Sequence, residues 1–225
     1  MPLLRRLGAG TVAPVTAAIR PDLAVAHDRA WESFSRAGTW WSARQRRELA
    51  ATAIASVWGD TETGTVREAP EAAHRAVSVM ASGHPAASRE WYEGVRDEVG
   101  ALEYVELVGL VATAAAATSL RRSLGLPERE LPAASDEDPT RVPPPPLADA
   151  KLNWVPVAAP ADGTAAVVQA LTAVPSAFAD LWRLGDAQYI PDEEMVDLRW
   201  TRGTLSRVEI ELVATRVSFS RECHY

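Results

Sequence analysis

Cys223 is the only cysteine in this chain, and His224 follows it directly. Twelve residues upstream, in the otherwise apolar stretch "EIELVA", stands Glu211. A thiol reacts as thiolate, and free cysteine has a pKa of about 8.5, so a nearby group must take its proton. A carboxylate can do so directly, through water or through an imidazole, and histidine titrates near neutrality. The three residues thus supply a nucleophile, a base and a shuttle. A carboxylate among apolar neighbours also needs a partner, and Arg207 or Arg216 at helical spacing would serve equally well as an ion pair. A thiol opening a Cys-x-x-Cys pair does redox chemistry, and position 226 would be the second member.

The elements that must position these residues read as helices. Alanine, leucine, valine, arginine and glutamate fill long segments punctuated by glycine and proline, and alternating strand patterns are scarce. A first helix is expected over about Pro21 to Ala37, before Gly38. In the next, Ser42 is the N-cap and Gln45 its capping-box partner. "APEAAHRAVSVMAS" and "SREWYEGVRDEV" give two more. "ALEYVELVGLVATAAAATSLRRSLG" is the longest, stopped by Gly125 and Pro127, and its small residues Ala114 to Ala117 admit a close neighbour. Residues 127–162 are polar and then proline-rich, as in a stiff linker. Helices resume in "GTAAVVQALTAVPSAFADLWRLGDA", and Ser206 with Glu209 caps the last.

"ELAATAIAS" at Glu48 resembles "ELVATRVSF" at Glu211, and each follows a Gly-Thr pair and a serine-started helix. This predicts a duplicated helical unit, in which Asp60 replaces the thiol in the first copy. The expected organisation is an N-terminal copy with a degenerate site (1–126), a proline-rich linker (127–162) and a C-terminal copy carrying the redox motif (163–225). His74 and His84 are further candidates to line a site.

The 225 residues are 47% hydrophobic, enough for a sizeable core, and carry a net charge of -7. That charge argues against a nucleic-acid partner and gives no support for an anionic membrane. No signal peptide is legible, and the apolar run Leu107 to Leu120 is short for a bilayer, so a cytoplasmic protein is expected. No paired metal-ligand spacing, phosphate loop or dinucleotide fingerprint is present, so neither metal nor cofactor is expected.

"LSRVEIELVATRVSFSRECHY" resembles the signature of the AhpD-like superfamily, which includes alkylhydroperoxidase D and carboxymuconolactone decarboxylase. Glu211, Leu212, Val213, Arg216, Val217, Ser218 and Cys223 fall in register with it. "LTAVPSAFADLW" and "AQYIP" resemble the helix before the motif. "AWESFSRAGTWWSARQRRELA" and "EYVELVGLVA" resemble the longer, two-copy branch. The resemblance implies an all-α, AhpD-like fold with internal pseudo-duplication and a peroxide-reducing oxidoreductase. In it Glu211 is the proton-relay carboxylate, Cys223 the first member of the redox pair, and His224 lies between the members. It further implies a hydroperoxide substrate, an external dithiol reductant and a homo-oligomer. The second cysteine and the histidine after it are missing. Some members of the two-copy branch resemble selenoproteins, so position 226 is expected to be selenocysteine, with the 225-residue form crippled as a peroxidase. A carboxymuconolactone decarboxylase-like lactone enzyme and a non-catalytic helical assembly module are the alternative readings.

Overall fold

The computed structural model describes residues 19–59, 67–83, 87–149, 152–160 and 165–220. Among them the protein is all-α, with eight helices and two very short hairpins. Helix α1 (Pro21–Ser33) opens with proline at its first turn, where no amide hydrogen bond is lost. It ends earlier than the sequence predicts. The amides of Phe34, Ser35 and Arg36 reach back only three residues, so the last turn tightens and the chain leaves the helix before Gly38.

Helix α2 (Ala43–Trp58) carries the expected capping box. The Ser42 hydroxyl accepts from the Gln45 amide, and the Gln45 side chain accepts from the Ser42 amide. Helices α3 (Glu71–Ser82), α4 (Arg89–Val99) and α5 (Ala101–Ser123) follow in the predicted places. Helix α5 is long and apolar enough to cross a membrane by length and composition. Here it is the central helix, packed by α1, α2, α3 and α4, with Val105, Leu107, Leu110 and Ala114 buried. Its small residues do what their size allows. A Cβ at Gly109 would come within 3.0 Å of the Ala177 Cβ, so glycine there sets how closely the second half of the chain approaches.

Residues 127–146 contain no regular structure, and they are tied down along the first helical unit. Trp31 Nε1 donates to the Glu130 carbonyl at 2.9 Å and Arg47 Nε to that of Pro132 at 2.8 Å. The amides of Ser135, Thr140 and Arg141 donate to the carbonyls of Ser35, Gly38 and Thr39, and the Ala43 amide donates to Glu137. The segment is a strap over the α1–α2 corner. It leads into an antiparallel hairpin, β1 (Leu147–Asp149) with β2 (Pro156–Ala158).

The C-terminal unit begins with a single turn, α6 (Ala166–Gln169). Pro175 then starts a separate helix, α7 (Pro175–Gln188), which packs on α1 and α5. A second hairpin, β3 (Thr201–Arg202) with β4 (Leu205–Ser206), precedes α8 (Arg207–Ser220). Ser206 and Glu209 make the predicted cap: the Ser206 amide donates to Glu209 Oε2 at 2.8 Å. Unlike α2, α8 leaves Val208, Leu212, Val213, Val217 and Phe219 exposed.

Two glycines separate packing from propensity. A Cβ at Gly38 would overlap Oε1 of the buried Glu106 and crowd the guanidinium of Arg46, whereas Gly94 in α4 has open space around it. Gly38→Ala should cost about 1–3 kcal/mol or more, the range for overpacking a core. Gly94→Ala should stabilise by up to about 1 kcal/mol, the propensity difference in a helix interior. Urea unfolding of both variants measures the contrast.

Candidate functional site

Glu211 lies in the first turns of α8, five residues after the cap Ser206. Its carboxylate is held by two donors: the Tyr189 hydroxyl at 2.7 Å and Arg207 Nε at 2.8 Å. The ion pair with Arg207 is the one that helical spacing allows. Arg207 is itself buried and donates to the carbonyls of Met195 and Asp197, which wraps residues 191–200 around it. Hydrogen bonds from Tyr189 and then Arg207 hold the Glu211 carboxyl below the usual 4.5. Burial, and then the bond to Glu211, pushes the Tyr189 phenol up to about 12. Glu211 is therefore a fixed anion across the neutral range.

Cys223 and His224 lie outside the described residues, as do Asp60 and His84. Beyond Glu211, α8 continues for nine residues to Ser220, about 14 Å of helix axis.

Glu48, which the sequence similarity pairs with Glu211, stands six residues after its cap, Ser42. Its Oε2 accepts from the amides of Glu68 (2.8 Å) and Ala69 (3.1 Å), which fixes the approach to α3. Its Oε1 meets Nε2 of His74 at 2.8 Å, and the Thr52 hydroxyl meets Nδ1 at 2.8 Å. A carboxylate only accepts, so Nε2 carries the hydrogen; the Thr52 hydroxyl also lies 3.3 Å from the Glu48 carbonyl, so its one hydrogen is shared between that oxygen and the Nδ1 side. Thr52 and His74 are both buried. The result is a carboxylate–imidazole–hydroxyl chain suited to holding or passing a proton. His74 also lines a cleft of about 530 Å³ between α3 and α4, with Glu71, Ser78 and Trp91. His74, a candidate from the sequence, thus joins Glu48. Trp41 is buried and Trp40 half-buried, so that pair serves the core.

One constellation has no counterpart in the sequence-based expectations. Glu106, fully buried in α5, accepts from Arg46 Nη1 at 2.6 Å and from the Trp40 amide at 2.8 Å. Arg46 Nη2 reaches the Ser33 carbonyl at 3.3 Å. The signal was present: Glu106 interrupts the apolar "EYVELVGLVA", and a carboxylate in such a run requires a cation or donors. Tyr189, the partner of Glu211, carried no such mark. Among the described residues, no group of three or more His, Cys, Asp or Glu could hold a metal ion.

Comparison of the chain with family models, curated proteins and solved structures gave no match.

The depressed pKa of Glu211 and the raised pKa of Tyr189 bracket a pH window. The Glu211 contribution is fully present above about 4.5 and fades as pH falls through its lower folded value. The Tyr189 contribution is present below 10.0 and fades as pH rises through about 12. Tyr189→Phe removes the larger cause, so the Glu211 midpoint should move up toward 4.5. Carbon-detected NMR titration of the Glu211 carboxyl checks this; an unmoved midpoint would assign the depression to Arg207 alone.

Proposed function

We propose that this chain is an AhpD-like thiol or selenol oxidoreductase that reduces hydroperoxides, with Cys223 as the reacting thiol, Glu211 as the proton-relay carboxylate and His224 as the proton shuttle. One observation carries the reading. Glu48 and Glu211 follow the serine caps of their helices by six and five residues, and each carboxylate sits in a network of hydrogen bonds. The helices that precede them, α1 and α7, each begin at a proline and pack against each other, which supports an internal duplication.

The Cys223 thiolate attacks the terminal peroxide oxygen and the O–O bond breaks. The alcohol leaves with a proton, and the sulfur becomes a sulfenic acid. A dithiol then reduces it, leaving thiol, disulfide and water. Glu211 remains ionised at neutral pH and lies well back along α8. It therefore handles the proton through an intermediate, and the imidazole of His224 is suited to that step. The exposed apolar row of α8 supports a homo-oligomer.

A second reading has its own support. The Glu48–His74 pair is an acid–base couple that needs no thiol, which favours a carboxymuconolactone decarboxylase-like reaction in the first unit.

Peroxide should convert Cys223 to a dimedone-trappable sulfenic acid, while steady turnover with a dithiol stays low because, with one cysteine in these 225 residues, the sulfenic acid must wait for the external dithiol. Glu211→Gln should slow the oxidation about 100-fold or more. The absence of peroxide-dependent trapping at Cys223 would overturn the oxidoreductase. Lactone turnover that survives Cys223→Ser but is lost in His74→Gln would establish the second reading instead.

A further inference from the structure

A second cleft, of about 550 Å³, opens between the end of α1, the start of α2 and the first turns of α7. Four arginines line it, Arg29, Arg36, Arg46 and Arg183, against two carboxylates, Glu32 and Asp180. This concentrates positive charge on a chain whose net charge is -7. Arg183 pairs with Asp180 at 3.1 Å, and Arg46 is neutralised from behind by Glu106. Arg29 and Arg36 are exposed and form no ion pair among the described residues.

Two features make the cleft more than a charged surface. Arg46 is 6% exposed and rigidly held, and its buried Nε–H has no acceptor among the described residues. The wall opposite is the N-terminus of α7, a helix of 14 residues whose N-cap, Val174, supplies no side-chain acceptor. Pro175 carries no N–H and Val174 is buried, so this end offers the cleft its dipole and the exposed Ser176, whose hydroxyl meets that of Thr39 at 2.9 Å and ties the two walls together.

We propose that this cleft binds a small, multiply charged anion, bearing phosphate or carboxylate groups, between the guanidinium groups of Arg29 and Arg36 and the N-terminus of α7. Planar guanidinium forks match both oxyanions in bidentate geometry. The volume suits a compact metabolite-sized molecule, and the polar lining suits an ionic one. The cleft shares no lining residue with Glu211 and its partners Tyr189 and Arg207, so it stands or falls independently of the redox reading.

The test is calorimetric titration of the full chain with pyrophosphate and, separately, with citrate at low ionic strength. Binding tighter than about 1 mM is expected for at least one of them. Preference for pyrophosphate would assign a phosphate ligand, and preference for citrate a carboxylate one. The exposed pair Arg29→Gln with Arg36→Gln should weaken binding by about tenfold or more, while Arg199→Gln, on a distant exposed turn, should leave it unchanged. Absence of binding tighter than about 1 mM, or equal binding by the double variant and the parent, would overturn the proposal.

Discussion

A buried ion pair organises the first half of this protein. Glu106 is wholly inside the central helix, where an unpaired carboxylate would be prohibitively costly, and Arg46 at 2.6 Å makes its burial tolerable. The pair dictates its surroundings. Trp40 must turn its amide inward to supply a second donor, and residue 38 must lack a side chain. The α1–α2 corner then takes a shape that the strap at 135–141 can hydrogen-bond, and Thr39 reaches Ser176 across to α7. One electrostatic requirement in α5 thus sets how α1, α2 and the C-terminal unit meet.

The two glutamate-bearing helices show how one sequence pattern serves two environments. Around Glu48, α3 and α5 cover α2, so Leu49, Ala50 and Ala53 are fully buried and the carboxylate can be matched by an imidazole from α3. Around Glu211, the partners come from the preceding loop and from the helix's own first turn. Leu212 and Val213, which align with Leu49 and Ala50, stand exposed. The serine caps are shared; the packing differs, and so does the carboxylate's place, six residues after the cap in α2 and five in α8.

Local rules in the sequence were readable where the chemistry is local. Ser42 with Gln45, Ser206 with Glu209 and Gly125 after α5 each act within a few residues, and each lies where the sequence places it. The Arg207 pairing with Glu211 was legible for the same reason. What escaped notice depends on chain separation. Arg46 and Glu106 are 60 residues apart, Glu48 and His74 are 26 apart, and nothing local says which cation will reach which carboxylate. The strap at 127–146 read as a spacer because its bonds run through backbone groups, which composition does not reveal.

If the Arg46–Glu106 pair is the constraint on which the α1–α2 corner depends, its two halves must be strongly coupled. Urea unfolding of Arg46→Met, Glu106→Leu and the double variant measures that coupling. Each single change should cost about 3–5 kcal/mol, because it strands a buried charge. The double change should cost much less than the sum, because it replaces both charges with apolar groups of similar volume. Single losses below about 0.5 kcal/mol that simply add in the double variant would contradict the account.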